Sequence, residues 1–112
     1  MKFLLKFLII CSIVFSITNN STLAENADLD AGESIFNANC AACHAGGNNA
    51  VMPEKNLRIE TLNKYNMSTA DAIITQVTNG KNAMPAFGER LSSDDIVNVA
   101  SFVLNQSTTE SW

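Results

Sequence analysis

The sequence predicts an all-α domain of about four helices. No run of alternating apolar and polar residues, the pattern of a half-buried strand, is found in residues 25–112. Ser-x-x-Asp, the spacing of a helix capping box, begins at Ser68 and again at Ser92, each time just before apolar residues at helical spacing. Gly and Pro lie between these segments. Together these three observations favour helices joined by irregular loops.

The first 24 residues have the pattern of a secretory signal peptide. Two lysines precede an apolar stretch, Phe7–Ile17, and small and polar residues follow it. The stretch is short for a membrane span. We expect cleavage after Ala24, or after Asn26 as the alternative, and a retained N-terminal anchor is the other interpretation.

The remaining domain, residues 25–112, is small and acidic. It keeps five basic and eleven acidic residues, a net charge of −6, and loses Cys11. Such acidity argues against nucleic acid as a partner and favours partners with a positive face. A core of this size is marginal, so a bound group should be needed to stabilise it, and we expect the apoprotein to be largely unfolded.

The first helix is predicted over Asp28–Asn39, with Asp28 or Asp30 as its N-cap. It ends directly before a pair of cysteines. The Gly- and Asn-rich segment Ala45–Pro53 predicts a loop. A short helix follows over Leu57–Lys64.

Two capping boxes predict where the last two helices begin. The third helix starts at Ser68 and stops at Asn79-Gly80. The fourth starts at Ser92. Its apolar stripe is predicted to form the core against Phe36, and comprises Ile96, Val99, Ala100 and Val103, with Phe102 beside it. The polar tail Gln106–Trp112 is expected to fray, with its tryptophan as a surface contact.

The segment Cys40-Ala41-Ala42-Cys43-His44 predicts a c-type haem attachment site. Each thiol can add to a haem vinyl group, and the adjacent imidazole can ligate the iron. The alternatives are weaker. A zinc site would need a fourth ligand, either Cys11, which is expected to be removed, or a carboxylate. A thioredoxin-like pair needs a βαβ pattern, which is not found, and a disulfide across two residues closes too small a loop to stabilise much.

An iron held by His44 has a sixth position, for which the mature chain offers three methionines. Thioether opposite imidazole stabilises Fe(II) and leaves no open site for a substrate. Met84 is the best candidate because it lies in a helix-free segment and Pro85 favours extended geometry before it. Met52 also precedes a proline and competes with it, whereas Met67, beside a helix cap, suits the core.

The chain resembles the cytochrome c6 family of class I c-type cytochromes. The resemblance runs from about Ala27 to Trp112. Its most specific pieces are Asn39-Cys40-Ala41-Ala42-Cys43-His44-Ala45-Gly46-Gly47-Asn48-Asn49 and Asn79-Gly80-Lys81-Asn82-Ala83-Met84-Pro85-Ala86-Phe87-Gly88. It implies a small class I cytochrome c fold, with about four helices wrapped around one covalently bound haem c.

The same resemblance implies an electron carrier, not an enzyme. Such a carrier is a soluble monomer of the thylakoid lumen, in a plastid or a cyanobacterium, that takes electrons from cytochrome f of the cytochrome b6f complex and passes them to photosystem I. Gln76 matches a family glutamine near the haem, and Arg90 a family arginine associated with docking, although Glu89 stands where the family usually has glycine. The alternatives are a periplasmic donor to a respiratory oxidase and a haem sensor or enzyme with an open sixth site.

Overall fold

The computed structural model describes residues 27–112, so the predicted signal peptide and Cys11 lie outside the described residues. The helices are α1 (Leu29–Asn39), α2 (Ala41–His44), α3 (Ile59–Lys64), α4 (Ala70–Asn79) and α5 (Ser93–Thr108), with 3₁₀ turns at Ala45–Gly47 and Pro53–Lys55. Within residues 27–112 no β-strand forms, and the one extended pairing is a bridge between Lys81 and Met84. The all-α prediction is confirmed. The helix beyond the expected four is the single turn α2, which the Cys-x-x-Cys-His segment itself forms.

Helix α1 begins where its sequence predicts. Asp28 is the N-cap, and its carboxylate accepts a hydrogen bond from the backbone N–H of Ala31 at 3.0 Å. Its own N–H donates to the side-chain oxygen of Asn98 at 3.0 Å. One residue therefore caps α1 and ties its start to α5.

The crossing of α1 and α5 is close because Gly32 lies at the contact. A Cβ there would overlap the carbonyl group of Asn98 and would lie 2.8 Å from Phe102 Cβ. One turn later the rings of Phe36 and Phe102 meet with centroids 5.4 Å apart. These contacts bring the end of α1, and with it the cysteine pair, against the core.

The predicted capping box of α5 is confirmed. Ser92 Oγ accepts from the N–H of Asp95 at 3.1 Å, and the Asp95 carboxylate accepts from the N–H of Ser92 at 3.4 Å. All members of the predicted apolar stripe are buried, namely Ile96, Val99, Ala100, Phe102 and Val103. The stripe packs on α1 and α4 and forms the core.

The capping residue predicted for α4 is wrong by one position. Thr69, not Ser68, is the N-cap, and its hydroxyl accepts from the N–H of Ala72 at 3.2 Å. Both hydroxyls satisfy the chemical requirement for a cap. The choice falls on Thr69 because the backbone is still extended there. The end of α4 at Asn79, followed by Gly80 with φ of +71°, agrees with the prediction.

The C-terminal tail does not fray, which corrects the expectation for residues 106–112. Helix α5 continues to Thr108, Ser107 is buried, and the indole of Trp112 packs with Phe36 and Phe102 at centroid distances of 5.4 and 6.1 Å. The physical reason is that a large aromatic ring gains more by covering the apolar edge of the α1–α5 contact than by remaining in water. The predicted role of Trp112 as a mere surface contact is therefore also wrong.

Candidate functional site

A cavity of about 530 Å³ opens between the end of α1, the loop after α2, α4 and the segment that follows α4. Its size is that of a site for a cofactor or large ligand. All six residues selected from the sequence line it, namely Cys40, Cys43, His44, Gln76, Met84 and Arg90. The fold thus brings together, around one cavity, residues that are up to 50 positions apart in the chain.

The cysteine pair lies on the turn that leaves α1. The N–H of Cys40 still donates to Phe36 O at 2.8 Å, and the N–H of His44 donates back to Cys40 O at 2.9 Å, which makes the motif one helical turn. Cys40 is partly buried and Cys43 exposed, and the two are not joined in a disulfide. Burial raises the pKa of the Cys40 thiol, because an apolar environment disfavours the charged thiolate.

A zinc centre at this motif finds no support. Among the described residues, no group of three or more His, Cys, Asp or Glu side chains is arranged to hold a metal ion. The two thiols and the imidazole instead line the wall of the large cavity.

His44 is oriented by the loop that follows it. Its Nδ1 lies 2.9 Å from the backbone carbonyl oxygen of Asn48. Because a carbonyl oxygen only accepts, Nδ1 carries the proton, and the lone pair of Nε2 is left for a metal. A backbone acceptor on the far ring nitrogen is the usual support of a metal-bound imidazole.

The segment that carries Met84 is held in a folded-back position. Lys81 and Met84 exchange both backbone hydrogen bonds, at 3.0 and 2.9 Å, and Phe87 N–H donates to Val77 O at 2.9 Å. Gly80 permits this turn, since its φ is +71° and a Cβ there would lie 2.6 Å from Met84 O. The helix-free geometry predicted for the segment is confirmed, and the turn brings the Met84 thioether to the cavity.

Gln76 extends from α4 toward the same sulfur. Its side-chain Nε2 donates to Met84 Sδ at 3.7 Å, so the amide dipole points its positive end at the thioether. Met52 and Met67 also line the cavity. A position in the cavity wall therefore does not separate the three methionines. Met84 differs from the other two because its sulfur accepts a hydrogen bond from Gln76.

Positive charge collects around the cavity although the chain is acidic. Lys55, Lys81 and Arg90 line the cavity, whereas none of the carboxylate side chains within residues 27–112 does. The Arg90 guanidinium lies 5.6 Å from the ring centroid of Phe87, close enough for a cation–π contact. These three residues, which we call the basic rim, would attract the negatively charged groups of a ligand or partner.

Sequence reasoning missed Asn48 and the two lysines of the basic rim. Asn48 acts through its backbone carbonyl, which every residue type has, so no side-chain signal marks it. Lys55 and Lys81 are exposed or half-exposed residues in loops, and the available signal was that both lie within four residues of a candidate methionine.

Comparisons with known proteins identify the family. The family model described as cytochrome C oxidase, cbb3-type, subunit III, matches residues 27–103. Cytochrome c6 of Gracilaria tenuistipitata var. liui is 58% identical over 107 residues, which cover 96% of each chain. Cytochrome c6 of Pyropia tenera is 63% identical over 81 residues, or 72% of this chain and 95% of the relative.

The chain belongs to the cytochrome c6 family.

A solved structure agrees with this assignment. The crystal structure of cytochrome c6 from the diatom Phaeodactylum tricornutum is 59% identical, with a TM-score of 0.73, and the match covers 74% of this chain and 98% of that one. Membership in the family means one covalently bound haem c, and an electron carrier rather than an enzyme. The cavity fits this cofactor, since thiols, an imidazole and a thioether all line a largely apolar space. In residues 27–112 no helix has the length and apolarity that crossing a membrane requires.

Proposed function

We propose that this chain, after removal of residues 1–24, is a soluble one-electron carrier of the thylakoid lumen. It takes electrons from cytochrome f of the cytochrome b6f complex and delivers them to photosystem I. The observation that carries the proposal is the convergence of the Cys-x-x-Cys-His turn and the Met84 segment on one cavity. A plastid lumen is the proposed location, because algal cytochromes c6 are among the relatives. A cyanobacterial lumen or periplasm is the alternative.

Four residues are proposed to hold the haem. Cys40 and Cys43 would form its two thioether bonds, and His44 Nε2 and Met84 Sδ would ligate its iron. Bound haem supplies the Fe(III)/Fe(II) couple. The chain's part is to keep both ligands in place in either oxidation state, through the Asn48 carbonyl on one ligand and the Gly80 turn on the other.

Gln76 is proposed to tune the reduction potential. Its amide N–H donates to the Met84 sulfur, and with haem bound this positive end of the amide dipole would favour the reduced state of the iron. Gln76→Val should therefore lower the reduction potential, measured by redox titration. An unchanged potential in a protein with the Met84 bond intact would contradict this role.

Docking is proposed to use the cavity mouth. Val51 lines the cavity and is 59% exposed, and Arg90 of the basic rim lies at the same opening. Apolar and cationic groups there suit a small, short-lived interface with the haem edge at its centre. None of the ten Asp and Glu side chains of residues 27–112 lines the cavity, and these carboxylates would steer encounter with a positively charged partner face.

An absorption spectrum with a redox titration of the purified mature protein tests the site directly. Met84→Ala should abolish the sulfur-to-iron band at the red edge of the oxidised spectrum, whereas Met52→Ala should leave it. The reduced protein should resist carbon monoxide at neutral pH, because His44 and Met84 would leave no open position on the iron. Loss of the band in the Met52 variant alone would assign the ligand to Met52, and rapid carbon monoxide binding by the wild type would indicate a sensor or enzyme with an open site.

Salt dependence tests the partner assignment. Electron transfer to photosystem I should slow as ionic strength rises, because attraction between exposed charges is screened. A flat or rising profile would contradict attractive steering.

The match to a family model described as an oxidase subunit makes a respiratory oxidase the second candidate acceptor. Faster turnover with such an oxidase than with photosystem I would favour it.

Removal of the signal peptide is tested by the mass of the protein from its native compartment. Cleavage after Ala24 leaves an 88-residue chain that begins at Glu25. A mass that includes the first 24 residues would show a retained anchor.

A further inference from the structure

Trp112, the last residue, contacts the loop that follows the haem motif at both of its ends. A Cβ on Gly47 would lie 2.6 Å from the indole Cδ2 atom, so the ring covers the bare backbone face of that glycine. The indole N–H donates to Leu57 O at 3.0 Å and to Ser107 Oγ at 3.1 Å. Gly47 and Leu57 are themselves joined by a backbone hydrogen bond of 2.8 Å. The indole therefore fixes the base of the loop from Gly47 to Leu57.

That loop carries the group that orients the iron ligand. Asn48, whose carbonyl oxygen accepts from His44 Nδ1, directly follows Gly47. Gly47 adopts φ of +76°, a conformation that favours glycine. Because glycine has no side chain, Gly47 cannot anchor itself to the core. The covering indole supplies this restraint, since its other contacts are the buried rings of Phe36 and Phe102.

We propose that Trp112 is a positioning residue for the axial histidine. It anchors the Gly47–Leu57 loop to α5 and thereby keeps the Asn48 carbonyl on His44 Nδ1. This inference rests on the proposed ligation of iron by His44. It goes beyond the haem ligands in assigning a function to the end of the chain, which lies outside the haem cavity.

The test is exchange of the His44 Nδ1 proton with solvent, followed by NMR in the reduced haem protein. Trp112→Phe keeps a ring on Gly47 but removes the N–H donor, and exchange should become about threefold faster. Trp112→Ala removes both contacts, and exchange should become roughly tenfold faster, together with that of the Leu57 amide. The phenylalanine variant retains most of the packing, so it remains informative if the alanine variant does not fold.

Ile96→Ala is the matched control. Ile96 belongs to the buried core against which Trp112 packs, but it is not among the residues that line the haem cavity. The control should lower the free energy of unfolding and leave His44 Nδ1 exchange within about twofold of the wild type, because that proton exchanges by local opening. Equal exchange in wild type and both Trp112 variants would overturn the proposal, as would acceleration by Ile96→Ala as large as that by Trp112→Ala. Failure of the proposed function is seen separately, as the absence of haem absorbance.

Discussion

Gly32→Ala tests whether the α1–α5 crossing determines the stability of the domain. In an exposed helix this change would stabilise by about 1 kcal/mol, because alanine is the better helix former. Here the new Cβ would overlap the Asn98 carbonyl group and lie 2.8 Å from Phe102 Cβ, whereas ordinary Cβ contacts are 3.4–4 Å. The nearest atoms belong to the backbone and cannot rotate away, so the helices must separate.

Overpacking of this kind costs up to about 3 kcal/mol. With the gain in helix propensity of about 1 kcal/mol subtracted, the net loss is about 2 kcal/mol. For a domain of this size that lowers Tm by roughly 10 °C. The assay is thermal and guanidinium unfolding of the haem protein, followed by far-UV circular dichroism and by the haem absorbance.

The control is the same glycine-to-alanine comparison on the exposed face of α1. Ser34 is exposed there, and its hydroxyl only bonds back to Asp30 O at 3.2 Å. Ser34→Ala should be more stable than Ser34→Gly by about 1 kcal/mol. If Gly32→Ala is as stable as the wild type while the Ser34 pair behaves as expected, the close crossing does not limit stability and the argument is refuted.

Three further predictions concern burial, cofactor removal and capping. Ser101 Oγ is buried without a hydrogen-bond partner, so Ser101→Ala should raise the free energy of unfolding by about 1 kcal/mol. A lower free energy of unfolding in guanidinium would show that the hydroxyl does have a hydrogen-bond partner. The haem-free protein should be largely unfolded, with Cys40 and Cys43 alkylated at equal rates. Slower reaction of Cys40, whose pKa burial raises in the folded chain, would show that the apoprotein folds. Ser92→Ala removes the capping box of α5 and should cost about 1 kcal/mol, measured in the same unfolding assay; an unchanged midpoint would mean that the cap is dispensable.

Most of the site could be predicted because its chemistry depends on residue type and spacing. Two thiols three positions apart followed by an imidazole are typical of a c-type haem attachment site, and here the segment forms the single turn α2 with Cys40 as its N-cap. The helix-free segment before Pro85 was predictable because proline and glycine act on the local backbone. The helices were predicted from capping residues and helical spacing, which are also local signals, although the N-cap of α4 is Thr69 and not Ser68.

What the sequence could not supply depends on contacts between distant residues. The sequence favoured Met84 over Met52 as the sixth ligand, but it could not show the hydrogen bond from Gln76 to the Met84 sulfur, which joins two segments of the folded chain. The position of Trp112 was mispredicted because its neighbours in sequence are polar, whereas its neighbours in space are aromatic rings.

By itself the sequence determined the all-α class, the acidic charge and the haem attachment chemistry, because these depend on composition and on residues close together in the chain. Only the tertiary structure decided how closely α1 and α5 cross, which residues form the basic rim, and that the last residue fixes the loop beside His44. Such features arise where segments far apart in the chain pack together. The apolar pattern of one helix shows which face is buried, but it does not show which distant segment covers that face.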